Sequence, residues 1–354
     1  MTQALLSQHA VLGLELAYWQ QTILRVLLGL VALLGLTGGV VYLYLFKFVS
    51  FMQSRLGPME AGPHGSLQLL AEVGKWLQKE DVFTENSDRV VFGLAPVIVL
   101  ASTFLMFIVI PAGPNAVIAD LGTGIYFVLA MSGLSVIGIL MAGWASANKY
   151  ALMGALRAGG QLIAYELPLV LATVGVVISA GSLNLQDIVN AQAGPEAAIF
   201  GWTGIGNPYI LTQGVAFLIF MISVQAELTQ SPFDMPIAES ELVAGYQVEY
   251  TGIRFLIYFI AEFATAVAFA AVASTLFLGG WALPSSWGLG TGVMHVVGPM
   301  VISVKAVILV GVVFWVRFTL PRYREDQLQR IAWKGLIPLA LANIVITALA
   351  KVVF

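Results

Sequence analysis

"VVFGLAPVIVLASTFLMFIVI", residues Val90–Ile110, runs for 21 residues without a charged side chain. As a helix it rises about 1.5 Å per residue. It therefore spans about 31 Å, the thickness of a bilayer's hydrocarbon core, which needs about 20 apolar residues. Seven other stretches read the same way: Ile23–Phe46, Leu121–Gly143, Leu162–Gly181, Ile210–Gln225, Ile253–Gly279, Val297–Val316 and Gly335–Val353. Ile210–Gln225 is the shortest of them. The expected fold is an all-α polytopic membrane protein of about eight transmembrane helices, a single membrane domain over 1–354. Residues 1–22 are apolar but interrupted by Gln8, His9 and Glu15, and are expected to lie as an amphipathic segment at the interface.

Composition supports lipid as the solvent. The 354 residues are 59% hydrophobic and 10% charged, against about 25% charged in soluble domains. The mean hydropathy is +0.91. A net charge of −3 predicts no nucleic-acid partner. The absence of cysteine excludes a disulfide framework and a thiolate-held metal or iron–sulfur cluster on this chain. His9, His64 and His295 are too scattered for a His-rich metal site. The first apolar run is too long, and lacks the basic flank, for a cleaved leader. No repeat of 20–50 residues is visible, and no inverted pair of broken helices.

Lys and Arg set the expected orientation. The first loop, 47–89, holds Lys47, Arg55, Lys75, Lys79 and Arg89; the third holds Lys149 and Arg157; the fifth, 226–252, reaches Arg254; the seventh, 317–334, holds Arg317, Arg322, Arg324, Arg330 and Lys334. The even loops hold none. Odd loops are thus expected in the cytoplasm and both termini on the other side. In the first loop, Leu67, Leu70, Val73, Trp76 and Leu77 form one helical stripe after two Gly–Pro breaks, as an amphipathic helix at the membrane surface would. A solvated connector is the plainer alternative.

Carboxylates then stand where lipid should be. Glu166, Glu262 and Lys305 lie within spans, and Glu227 ends the fifth. Such groups are costly and usually face a bundle interior or a water-filled path. Desolvation disfavours an anion, so a buried carboxyl group is suited to taking and giving protons near neutrality. A structural hydrogen bond between helices is the bland alternative for any one of them. Lys305 is expected as a counter-charge to one of these acids, and Arg25 and Lys351, near span ends, are expected to snorkel. The fifth loop, "AELTQSPFDMPIAESELVAG", Ala226–Gly245, concentrates Glu227, Asp234, Glu239 and Glu241 without a lysine or arginine. Pro232 and Pro236 should keep "SPFDMP" out of a helix, and a short helix can resume after Pro236. A polar loop at membrane depth persists only if it is buried in protein or lines water. Its carboxylates must share protons, find cations on other segments, or sit in water.

The loop resembles that of the H-subunit family of respiratory complex I (NADH–quinone oxidoreductase), the mitochondrial subunit 1 family. Its pattern is close to A-E-x-x-R-x-P-F-D-L-P-E-x-E-x-E-L-V-x-G-x-x-x-E-Y. Further matches follow in order: "RLGPMEAGPHGSLQLLAEVGKWLQKE", "AGWASANKYALMGALRAGGQLIAYE", "AEF" and "PRYREDQLQRIAWK". The resemblance covers nearly the whole chain. It implies a membrane subunit that joins a peripheral electron-transfer arm to the membrane arm of a proton-pumping quinone reductase. It implies no catalysis by this chain alone and no directly bound cofactor, with quinone as substrate and with iron–sulfur clusters and flavin on partner subunits. The implied partners are the peripheral-arm subunits carrying the terminal cluster and the quinone headgroup site, small membrane subunits, antiporter-like subunits, and lipid. The implied proton path is Glu166, Glu227, Glu239, Glu241, Glu249 and Glu262. The implied quinone chamber takes Arg55, Gly57, Pro58, Glu72, Lys75, Phe233 and Asp234, with Glu72 where the family usually has Asp. The location implied is a bacterial cytoplasmic membrane with both termini periplasmic.

The chain departs from the pattern at four positions. A family Glu-Arg-Lys is here Leu45-Phe46-Lys47, the Arg of A-E-x-x-R is Gln230, and the first Glu of P-E-x-E is Ile237. Losing acids and cations together avoids stranding a charge. Glu60 is a candidate local substitute. The departures leave open an anchor subunit of an energy-converting hydrogenase, in which no quinone binds. A purely structural anchor would not need Glu166 and Glu262 inside spans.

Overall fold

The computed structural model describes residues 10–11, 14–15, 18–114, 116–193, 206–283 and 291–353. The expected interfacial segment 1–22 falls largely outside them, as does the Arg25 side chain. Within it, β1 (Ala10–Val11) pairs antiparallel with β2 (Leu14–Glu15), and α1 begins at Tyr18.

Helices α1 (Tyr18–Val40), α2 (Gln68–Gln78), α3 (Arg89–Ile108), α4 (Gly124–Ala145), α5 (Lys149–Ala180), α6 (Leu185–Ala193), α7 (Gly214–Glu227), α8 (Glu239–Leu242), α9 (Gly252–Phe277), α10 (Thr291–Thr319), α11 (Glu325–Arg330) and α12 (Ile337–Val353) follow in order. α1 continues through Val41–Phe48, wound with wider turns, to Met52; α11 passes into α12 through a similar segment, Ile331–Leu336. Among the described residues, seven helices are long and apolar enough to cross a membrane: Thr22–Met52, Arg89–Ile108, Gly124–Ala145, Lys149–Ala180, Gly252–Phe277, Gly292–Thr319 and Glu325–Val353. The first runs six residues past the expected end at Phe46.

The remaining expected span, Ile210–Gln225, differs. Its helix, α7, has 14 residues, or about 21 Å, because Tyr209–Gln213 forms turns and the prolines stop it beyond Glu227. It nevertheless runs alongside α5 from Ser179, near the end of that helix, to Gln161, near its middle. Gln213, before its first turn, lies 3.4 Å from Ser179, while the Ala226 carbonyl near its end accepts from Gln161. Gln213 also bonds Asn343 and Thr347 of α12 at 2.9 Å each. A polar knot therefore holds one end of the short helix, and the acidic loop holds the other.

Small residues let the helices approach closely, as in other membrane bundles. A Cβ at Gly138 of α4 would lie 2.5 Å from Val99 of α3, and one at Gly143 would lie 2.2 Å from Ala155 of α5. α9 is the central helix: every residue from Ala266 to Phe277 is buried, as expected of a helix that is apolar all round. It packs with Tyr165 and Leu169 of α5 and Phe220 of α7 in one core cluster.

Two intramembrane lysines cap helix ends. Lys305 does not face a glutamate. Its ammonium donates to the carbonyls of Leu278 and Gly280 at 2.7 Å and of Ala282 at 3.4 Å, where α9 ends. These carbonyls lie at the cap and in the turns just beyond α9, at the negative end of the helix dipole, where a lysine is suited in both charge and donors. Lys351 likewise bonds the carbonyls of Ile178 and Ser179, at the end of α5.

Candidate functional site

The fifth loop folds back onto α5 rather than into solvent. Residues 231–237 are non-helical between the two prolines, and a single turn, α8, follows. Gln161 of α5, fully buried, donates 2.7 Å bonds to the carbonyls of Ala226 and Phe233, so one amide holds the end of α7 to the loop. Gln225 donates to the Ser231 carbonyl at 2.7 Å. Phe233 is wedged between Tyr165 and Tyr323, with ring centroids 5.3 and 5.7 Å away. The loop then turns back at Gly245, where φ is +55° and a Cβ would lie 1.8 Å from the Pro236 carbonyl oxygen. Gly154 of α5 meets this turn: a Cβ there would lie 2.7 Å from the Gly245 Cα. Only glycine fits on either side of this contact.

The acids fall into two groups: Asp234 lies within electrostatic reach of Glu262, and Glu227 within reach of Glu166. Glu166 sits against α4 where Gly133 leaves room; a Cβ at 133 would lie 2.9 Å from its Oε1. Glu227 is 9% exposed, and its Oε2 has no hydrogen-bond partner among the described residues. Glu262 Oε1 accepts a short hydrogen bond from Gln230 and faces Arg317 Nη1 of α10 at 3.8 Å. The Gln161 and Gln230 side-chain oxygens and the Ser223 hydroxyl are also buried without partners among the described residues.

The seventh loop straps the site. Tyr323 N–H donates to the Pro232 carbonyl at 3.0 Å, and Arg322 donates to the Asp234 carbonyl at 2.7 Å and to Ser240 at 3.2 Å. Burial pushes the Asp234 carboxyl up to about 6; Arg322 and Arg317 pull it down, and Glu262 and Glu239 raise it further. Burial likewise pushes the Tyr246 phenol up, far from neutral pH.

The other sequence-derived acids lie outside this centre. Glu239 is exposed but within electrostatic reach of Asp234. Glu241 is exposed and pairs with Arg157 at 2.6 Å, a hydrogen bond that holds its carboxyl below the usual range. Glu249 accepts from Asn148 at 2.6 Å in a polar cleft lined by Thr84, Glu85, Asn86 and Lys149. Asn148 and Gln161 are 13 residues apart on α5, so Glu249 stands about 20 Å from the Gln161 level.

The first-loop candidates gather on their own side. Gly57, at φ +70°, tucks under the end of α1, where a Cβ would lie 2.5 Å from the Phe46 carbonyl oxygen. The Pro58 carbonyl accepts from Lys47 at 2.7 Å, and Arg55 is exposed and bonds Gln53. In α2, Gln68 reaches Glu72 at 3.4 Å, and Lys75 lies 4.9 Å from the Trp76 ring. Trp76 stacks on Phe255 of α9 at 4.6 Å. The rest of the expected stripe divides: Val73 is half-buried, whereas Leu67, Leu70 and Leu77 are exposed, beside the exposed Phe51 and Leu56. Arg254 ties this loop to α9 through Asp81 at 2.9 Å and by lying 3.8 Å over the Phe83 ring. Glu60 is exposed.

Sequence reasoning missed Gln161 and Gln225, amides inside apolar runs whose polarity was itself the available signal. Arg317 and Arg322 entered only as topology charges. Among the described residues no three His, Asp or Glu side chains converge as a metal site.

The family described as "NADH dehydrogenase" matches residues 24–348. The chain is 42% identical over 332 residues to the H subunit of the NADH-quinone oxidoreductase of Brevibacillus brevis, covering 93% of this chain and 94% of that one. It is 44% identical to the protein of the same name from Geobacillus kaustophilus, over 87% of each chain. With the one from Dehalococcoides mccartyi it shares 40% identity over 92% of this chain and 86% of the relative.

Proposed function

The chain belongs to the NADH dehydrogenase family whose bacterial members are the H subunits of NADH-quinone oxidoreductase, and on that premise we propose how its residues serve such a complex. It is a membrane subunit of a multi-subunit oxidoreductase and works only within it. Its first, fifth and seventh loops wall a quinone chamber, and its buried acids carry protons away from that chamber. The peripheral arm docks on the cytoplasmic side, where the basic loops face, and small and antiporter-like membrane subunits flank the bundle. The membrane is the bacterial cytoplasmic membrane, with both termini periplasmic. The names of the relatives favour quinone over the hydrogenase-anchor alternative.

The observation that carries the reading is the junction at the fifth loop. One proline-shaped turn joins Glu227, at the end of α7, to Glu262, on the central helix, and presents Asp234 toward the seventh loop. Reducing a quinone to a quinol consumes two electrons and two protons. The charge that arrives before those protons changes the field at nearby carboxyl groups. A group whose proton affinity moves by one pK unit has gained or lost about 1.4 kcal/mol between its two states. Carboxyl groups beside unpartnered polar atoms can pass that change on as proton transfer. Exposed apolar side chains of the first loop, Phe51, Leu56, Leu67 and Leu70, suit the isoprenoid part of a quinone. Arg55 and Lys75 supply polar contacts at the same loop.

The test is to place Glu227→Gln and Glu262→Gln separately in the intact complex, reconstituted in proteoliposomes, and to measure quinone reduction and proton uptake together. Proton translocation per quinone reduced should collapse in both variants. Full pumping in both would overturn the acidic path.

A further inference from the structure

Arg317, near the end of α10, faces Glu262 without being locked to it and lies within electrostatic reach of Asp234. Its Nη1 lies 3.8 Å from Glu262 Oε1, beyond hydrogen-bond range, and has no hydrogen-bond partner among the described residues although it is buried. The same Glu262 oxygen takes its close hydrogen bond from the neutral amide of Gln230. Phe314 and Phe318, with ring centroids 5.9 and 5.4 Å from the guanidinium, give Arg317 faces to lean on rather than a clamp. Asp234 directly follows the turn that begins at Gln230 and is closed by the Phe233 N–H to the Gln230 carbonyl at 2.8 Å. The chain just beyond Arg317 is strapped to that turn through Tyr323 and Arg322.

We infer that Arg317 is a positioning residue shared by Glu262 and Asp234: one guanidinium compensates either carboxylate, and a proton gained by one frees the arginine toward the other. This rests on the acidic path proposed above and names the device that couples its membrane part to its loop part. With neutral Gln230 as the close partner, Arg317 is the cation paired with Glu262. Asp234 feels Arg317 and Glu262 together, along with Arg322 and Glu239, and Tyr246 lies within reach of both carboxyl groups. No bidentate pair fixes Arg317 to Glu262, and the open 3.8 Å contact and the unpartnered Nη1 leave the guanidinium available to a second carboxylate.

The experiment uses the intact complex with Arg317→Gln, Arg317→Lys, Glu262→Gln and the double variant Arg317→Gln/Glu262→Gln. The readout is the pH titration of the Asp234 carboxyl band in infrared difference spectra, assigned by subtraction against Asp234→Asn, with quinone reduction and proton uptake measured in parallel. Arg317→Gln should move the Asp234 titration to higher pH by about one unit or more and remove most proton uptake per quinone reduced. Arg317→Lys should restore much of both. Glu262→Gln should move the Asp234 titration to lower pH, and the double variant should bring it back toward wild type. Should Arg317→Gln fail to assemble, the Glu262→Gln shift decides alone. An Asp234 titration indifferent to Glu262, or a double variant displaced further than Arg317→Gln, overturns the shared arginine. A wild-type complex that reduces quinone without moving protons would instead overturn the proposed function, and the titration would still test this inference.

Discussion

Gln161→Leu separates the amide's bonds from its bulk. The side chain is fully buried, and its Nε2 donates to the carbonyls of Ala226 and Phe233 at 2.7 Å each, while its Oε1 has no partner among the described residues. Leucine is of similar volume, so the change removes two donors without opening a large cavity. The Phe233 carbonyl is left unsatisfied, at about 1–3 kcal/mol, while the Ala226 carbonyl keeps the Thr229 N–H at 3.1 Å and loses one hydrogen bond worth about 0.5–1.5 kcal/mol. Removing the unpartnered amide oxygen returns about 1–3 kcal/mol. The net is about 1 kcal/mol, placed on the attachment of the fifth loop rather than on the whole bundle. Local opening governs amide exchange, so amides from Leu228 to Gln247 should exchange about 5-fold faster, at about 1.4 kcal/mol per factor of ten. Amides of α3 and α4 should not change. Hydrogen–deuterium exchange with mass spectrometry on the intact complex reads both regions in one sample. Unchanged exchange in the loop would refute the idea that this one amide fastens it, as would a uniform rise across all helices.

Three further outcomes are expected. Lys305→Met should lower the thermal unfolding midpoint of the complex by withdrawing hydrogen bonds worth about 1.5–3 kcal/mol to a charged donor, and no Gln substitution at Glu166, Glu227 or Glu262 should restore it. Rescue by one of those substitutions would mean that Lys305 pairs with a carboxylate after all. Gly245→Ala should push the loop off Gly154, costing about 1–2 kcal/mol from the left-handed backbone before any clash with Pro236; limited proteolysis between Ser231 and Gly245 should then cut the intact complex, and resistance equal to wild type would count against the tight turn. For Asp234, the folded value of about 6 lies above the ordinary 3.8, so the folded protein holds this proton where the unfolded chain has lost it. Its contribution to stability is therefore full below about pH 4 and is lost as pH rises through about 6. Asp234→Asn should flatten that part of the stability–pH curve, measured by denaturation between pH 4 and 7, and an identical slope in the variant would contradict the assignment.

What was legible in the sequence follows from what leaves a local signal. Seven spans read directly as long, predominantly apolar runs, because in lipid a helix must be largely apolar along its own length. Pro232 and Pro236 announced the non-helical loop, since proline acts on its immediate neighbours. The length of α7 did not read correctly: Ile210–Gln213 is apolar enough to extend a run, but its turns and the Gln213 knot depend on α5 and α12. Lys305 misled for a related reason. Its partners are backbone carbonyls, which carry no residue identity, so a lysine in a span pointed to a glutamate. Gln161 and Arg317 matter through residues 65 or more and 55 positions away in the chain, Ala226 and Glu262, and nothing near them in sequence reports that. The family resemblance groups Glu249 with Glu239 and Glu241, whereas beyond the turn at Gly245 its carboxyl meets Asn148.

The brevity of α7 bears on how the chain is made. At the translocon a segment is retained according to its own apolar length and its charges. With 14 residues and Glu227 at its end, α7 is a poor candidate on those terms, whereas α3 and α4 partition unaided. Its retention needs α5 already in place, with Ser179 and Gln161 waiting at the two ends, and then α9 to close the other side. A nascent chain halted before Gly252 should let α7 slip back out. Glu227 thus keeps its depth through the order of synthesis as well as through the finished packing.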